Sequence, residues 1–133
     1  MRRVLFLCSH NAARSQMAEG FLRALAGDRF VVESAGTIAT ELHPLAIQAM
    51  REVGVDISSQ RSKPVDEMGE GWDVVVTVCD AQCPIPPRSG MRLRWNFADP
   101  ALARGTEEER VAAFRIVRDG IRKRVRSLAL RLG

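Results

Sequence analysis

Val4-Leu5-Phe6-Leu7-Cys8-Ser9-His10-Asn11-Ala12-Ala13-Arg14-Ser15-Gln16-Met17-Ala18 is the stretch on which the fold turns. Residues 3–8 hold a continuous apolar run, and such a run suits a strand covered on both faces. Then the period changes. Met17, Ala18, Phe21, Leu22 and Leu25 recur on one side of a helix predicted over residues 12–26, which Gly27-Asp28 stops. The same alternation continues down the chain. Residues 30–34 read as a second strand ending at Ala35-Gly36. His43-Pro44 starts a helix to about Val53, with Pro44 near its first position and Gly54 past its end. A short helical piece is expected over residues 64–69. Residues 73–78, with three consecutive valines, form a third strand. Met91, Leu93 and Trp95 alternate as a fourth strand, and residues 96–105 read as loop. Thr106-Glu107-Glu108-Glu109 then opens the last helix with capping-box spacing and acids at the positive end of its dipole.

Strands alternating with helices predict an α/β fold: a three-layer sandwich in which a four-stranded parallel sheet carries helices on both faces. Ligands in such sheets sit beyond the carboxyl ends of the strands. The segments following Cys8, Cys79 and Asn96 therefore share one end of the molecule, which brings Cys8, Cys79, Cys83 and Asp99 together.

Composition sets the class. The 133 residues suit one domain spanning 1–133, and 46% hydrophobic with 27% charged residues is globular rather than disordered. The apolar run from Val4 to Cys8 is too short for a signal core or a membrane span, so a soluble cytoplasmic protein is expected. The net charge of +4 resides on the last helix, where residues 106–131 carry eight basic and four acidic side chains. Val111, Phe114, Val117, Ile121, Val125 and Leu128 fall at helical spacing there. The arginines thus read as mostly the wet face of an amphipathic helix rather than a nucleic-acid patch. Three cysteines are an odd number for a disulfide framework and point to thiol chemistry or a metal site. Cys79 and Cys83 have a poor zinc spacing with no second such pair, so no metal is predicted.

The Cys8–Arg14 segment carries the chemistry. A cysteine, five residues and an arginine between a buried strand and a helix make an oxyanion cradle. Backbone N–H groups of Ser9, His10, Asn11, Ala12, Ala13, Arg14 and Ser15 converge on one point at the positive end of the helix dipole. Arg14 supplies a planar fork for two oxygens of a tetrahedral anion. The same field favours the thiolate of Cys8, and Ser15 can donate to its sulfur. Asn11 tolerates the left-handed backbone that a tight loop demands.

The run from Val4 through Arg14-Ser15-Gln16-Met17-Ala18-Glu19-Gly20 resembles the low-molecular-weight protein tyrosine phosphatase superfamily, and more closely its thioredoxin-coupled arsenate reductases. Ser34-Ala35-Gly36-Thr37, His43-Pro44, Gly54-Val55-Asp56-Ile57, Val76-Thr77-Val78-Cys79-Asp80, Asp99-Pro100 and Gly105-Thr106-Glu107-Glu108-Glu109 extend the likeness over nearly the whole chain. The resemblance implies the phosphatase-like strand order 2-1-3-4. The Thr-Val-Cys-Asp segment is what points to the reductases.

Two reaction classes follow from it. A phosphatase needs one cysteine: Cys8 attacks phosphorus, Asp99 protonates the leaving oxygen and water hydrolyses the phosphocysteine. A reductase needs three. The resemblance implies that Cys8 attacks arsenic, that Cys79 then attacks the Cys8 sulfur to release arsenite, and that Cys83 moves the oxidation outward as a Cys79–Cys83 disulfide for thioredoxin. Three residues separate Cys79 from Cys83, fewer than the family usually has, and the segment 79–84 is expected to rearrange on oxidation. Ala101-Leu102 stand where phosphatases of the family carry aromatics, which suits a small inorganic oxyanion. Asn11, Glu19 and Ser34 match positions that hold a monovalent cation in some members. Lys63 replaces a carboxylate there, and its ammonium can take the ion's place. The expected ligands are arsenate, with phosphate or sulfate competing, and the expected reductant is thioredoxin. No cofactor, nucleic acid or membrane is implied, and a monomer is expected.

Overall fold

The computed structural model describes residues 1–79 and 84–133. Four parallel strands, β1 (Arg2–Cys8), β2 (Phe30–Gly36), β3 (Val74–Thr77) and β4 (Met91–Arg94), lie in the order β2-β1-β3-β4. Three α-helices connect or follow them: α1 (Arg14–Ala26), α2 (Pro44–Arg51) and α3 (Glu107–Leu132). Two short 3-10 helices occupy Val65–Met68 and Pro100–Leu102. The second of these lies within the stretch expected to be loop.

The apolar run of β1 divides by period two. Val4 and Phe6 join a core built with Met17 and Leu22 of α1, Ala46 and Met50 of α2, and Phe114 and Ile121 of α3. Leu5 and Leu7 point the other way, to Val65, Trp72 and Val75. The outer layers are therefore unequal. All three α-helices contribute to one core, while among the described residues the opposite core takes the 3-10 helix Val65–Met68 and the Trp72 side chain. Phe6 is wholly buried with its ring 5.9 Å from that of Trp95, and truncating it to alanine would cost about 3–5 kcal/mol.

The spacing in α3 holds: Val111, Phe114, Val117, Ile121, Val125 and Leu128 are all buried. Arg118 is the exception among the arginines of its wet face. It is buried, donating to the Ala49 carbonyl at 2.9 Å and pairing with Glu52 at 2.9 Å, and so ties α3 to α2. Leu25, expected on the buried side of α1, is half exposed, while Ala26 beside it is fully buried in the core. No helix among the described residues is long and apolar enough to cross a membrane.

Register brings the site together. Leu7 pairs with Thr77 and Cys8 with Gly36, so β1, β2 and β3 end at one level. Gly36 is needed there. A Cβ on it would lie 2.7 Å from the Asn11 amide nitrogen and 2.9 Å from the Cys8 carbonyl oxygen, so a side chain would push β2 off the loop.

Candidate active site

Cys8 is the last residue of β1 and is 2% exposed. The chain beyond it does not enter a helix at residue 12 as the periodicity suggests. Asn11 takes the left-handed conformation (φ 52°) and Ala13 is non-helical (φ −136°, ψ −75°), so the loop wraps further and α1 begins at Arg14. Neighbouring segments hold it in shape. The amides of Thr37 and Ile38 donate to the carbonyls of Cys8 and Ser9, and the His43 amide donates to that of Ala12. The hydroxyls of Thr40 and Ser62 donate to the His10 carbonyl at 3.3 and 3.2 Å. With these carbonyls turned outward, the loop's amides are directed at its concave side. Ala13 supplies no side-chain cap, and the first turn of α1 holds no acid.

Asn11 organises the floor. It is fully buried, and its Oδ1 accepts from the Lys63 amide and the Gln16 amide group, both at 2.9 Å. Its Nδ2 donates to Ser15 Oγ at 2.7 Å and Ser34 Oγ at 2.9 Å. Each hydroxyl accepts there and must turn its own hydrogen elsewhere. Ser34 donates to Glu19 Oε1 at 2.5 Å. Ser15 Oγ lies 2.8 Å from Cys8 Sγ, a contact in which either atom can donate while the sulfur is a thiol and only Ser15 can donate once it is a thiolate. Behind Ser34 lies a charge-balanced quartet. Arg23 pairs with Glu19 at 2.5 Å and with Glu33 at 4.0 Å. Lys63 Nζ lies 3.2 Å from Glu33, 3.9 Å from Glu19 and 3.0 Å from the Arg61 carbonyl.

The opposite wall comes from the segment after β4. Arg14 donates through one guanidinium nitrogen to the Phe97 carbonyl at 2.8 Å and places the other 3.7 Å from Asp99. Asp99 caps the 3-10 helix Pro100–Leu102, its Oδ1 accepting from the Ala101 amide. Between the walls lies a cleft of about 300 Å³ lined by Cys8, His10, Ala12, Ala13, Arg14, Thr40, Asp99, Ala101 and Leu102. None of these is a phenylalanine, tyrosine or tryptophan. Ser9 is half-buried and His10 exposed at the rim. His43, at the start of α2, packs its ring 4.7 Å from Phe114. Burial, with Arg110 nearby, holds its imidazole below the usual histidine range against the opposing pull of Asp99.

Cys79 is buried two residues past the Leu7–Thr77 pair, at the same end of the sheet as Cys8. Cys83 lies outside the described residues, as does most of the segment expected to rearrange. The structure adds residues that the sequence did not single out. Gln16 donates to the Asn11 backbone and side chain and to the Arg61 carbonyl, and Gln60 donates back to Gln16 at 2.8 Å. Glu33, Thr40, Ser62 and the Phe97 carbonyl complete the frame. A glutamine between Ser15 and the buried Met17 is the one trace of this in the sequence.

The site thus combines a cysteine at a strand end, an arginine opening the next helix and an aspartate across the cleft. The family model for the low molecular weight phosphotyrosine protein phosphatase matches residues 3–133. The chain belongs to this family. Within it, an arsenate reductase of Bacillus subtilis (strain 168) is 48% identical over 130 residues, covering 95% of this chain and 94% of its own. A solved structure described as an arsenate reductase in oxidized state superposes with a TM-score of 0.87 at 34% identity, each chain covered completely. A thioredoxin-dependent arsenate reductase of Corynebacterium glutamicum gives a TM-score of 0.71 at 32% identity, over 96% of this chain and 60% of that one. This low molecular weight phosphatase family member has, in its cleft, alanines and Leu102 beside Asp99.

Proposed function

We propose that this chain reduces arsenate to arsenite, working as a cytoplasmic monomer, with thioredoxin restoring its thiols. The observation that carries reduction over hydrolysis is Cys79, a second buried thiol at the sheet end that holds Cys8. Identity of 46–48% with curated arsenate reductases over 95% of the chain supports the same choice.

The loop amides and Arg14 bind the oxyanion, and phosphate or sulfate competes for the same cradle. Once Cys8 is a thiolate, Ser15 is the donor across the 2.8 Å contact with Sγ. The Cys8 thiolate attacks arsenic, and Asp99 protonates the oxygen that departs as water. The Cys79 thiolate then attacks the Cys8 sulfur. The sulfur–arsenic electron pair goes to arsenic, which leaves as arsenite, and a Cys8–Cys79 disulfide remains. Cys83 attacks Cys79, frees Cys8 and leaves Cys79–Cys83 for thioredoxin. Asn11, Glu19, Ser34 and Lys63 support the loop, with the Lys63 ammonium serving as its built-in cation.

Cys79→Ser tests this. Arsenite release should fall to the level of protein-free buffer, while any slow hydrolysis of an aryl phosphate, which needs only Cys8, persists. Undiminished arsenite release from the variant would remove Cys79 from the reaction.

A further inference from the structure

α3 contains a single glycine, Gly120, in the middle of a helix whose other residues are ordinary helix formers. Glycine is unfavourable in a helix interior, so a close approach from outside is the physical reason to look for. The neighbour is Phe97. A Cβ on Gly120 would lie 2.7 Å from Phe97 Cε1 and 3.5 Å from Cζ, so the ring lies on the bare helix backbone. The same residue's carbonyl accepts from Arg14 at 2.8 Å, and two residues later Asp99 stands 3.7 Å from the other guanidinium nitrogen. Pro100 is buried, so the segment is anchored beyond Asp99 as well.

We propose that Gly120 and the Phe97 ring are positioning residues: the glycine notch in α3 seats the ring, and the seated ring fixes the carbonyl that orients Arg14 toward the oxyanion. The inference rests on the proposed role of Arg14 as oxyanion ligand and concerns how that arginine is held. Phe97 is half-buried and packs against the main core as well as on Gly120, so a methyl in the notch meets a ring backed by the core and shifts the Phe97 main chain. Alanine also restores helix propensity at residue 120. Affinity and stability therefore part company in this variant, which a purely structural role for Gly120 would not produce.

The test is phosphate binding by the reduced full chain, followed by titration calorimetry beside the melting temperature. Gly120→Ala should weaken phosphate by about tenfold, as expected when a positioned ligand loses its support, with a melting temperature no lower than the parent's. Adding Phe97→Leu, which shortens the side chain and keeps the carbonyl, should recover affinity to within about twofold of the parent. Such rescue supports the proposal wherever the melting temperature falls. Parental affinity in Gly120→Ala overturns it, as does weakened affinity that Phe97→Leu leaves unrepaired. A parent chain that binds no phosphate also overturns it, by removing Arg14 as an oxyanion ligand. Because binding is read without turnover, failure of arsenite release leaves this test intact.

Discussion

α3 and α1 begin in opposite ways. At the start of α3, Thr106 Oγ1 accepts from the Glu109 amide, the Glu109 carboxylate accepts from the Thr106 amide, and three glutamates fill the first turn. The positive end of that helix is satisfied by its own residues. At the start of α1 the N-cap is Ala13, with no side-chain bond and no acid in the first turn, and the arginine of the cleft is the first helical residue. The same partial charge is left for something outside the chain. α2 stands between them. His43 Nδ1 accepts from the Leu45 amide at 3.1 Å, a cap that protonation abolishes. One physical property of helix ends thus serves stability, ligand binding and proton sensitivity in three places.

Giving α1 what α3 has should break the contrast with the largest effect. Ala13→Asp sets a carboxylate at the mouth of the cradle, opposite any bound oxyanion. Phosphate affinity should drop by more than about tenfold, since like charges brought together cost several kcal/mol. Calorimetry with a circular dichroism control reads this directly, and unchanged affinity would mean the oxyanion binds elsewhere.

Taking from α3 what α1 lacks should change stability and leave binding untouched. Thr106→Ala removes the cap and should cost about 1 kcal/mol in denaturant unfolding. Phosphate affinity should stay at the parental value, because the capping box faces no part of the cleft.

The smallest effect concerns α2. The folded-state pKa of His43 lies below the ordinary 6.5, chiefly through burial. As pH falls, the unfolded chain therefore takes up its proton first. The contribution is fully present above the unfolded value and is lost as pH falls below about 6.5 toward the folded one. His43→Asn keeps a capping oxygen without the titration, so its unfolding free energy should decline less between pH 7 and pH 5 than the parent's.

Legibility in the sequence followed the range of the interactions. The order of strands and helices and the position of Cys8 rest on local periods and on the left-handed tolerance of Asn11, and these could be read. The true start of α1 could not, because the loop before Ala13 is shaped by bonds from Thr37, Ile38 and His43 to the carbonyls of Cys8, Ser9 and Ala12. Nor could the Gln16–Gln60 pair, since what buries Gln16 is a partner brought in by the fold. Leu25 fitted the apolar spacing of α1 and is still half exposed, because a spacing rule does not say which positions of the stripe a neighbouring element covers. The Phe97 carbonyl carries no residue signature, so the partner of Arg14 emerged only with the coordinates.

The central claim is that Cys8, held at the open end of α1, passes its oxidation to the other two thiols. Mixing fully reduced protein with arsenate, without any external reductant, and counting arsenite and remaining thiols measures this in one turnover. The account predicts one arsenite for every two thiols lost, with the disulfide found between Cys79 and Cys83. All thiols retained and no arsenite formed, beside measurable hydrolysis of an aryl phosphate, would contradict it.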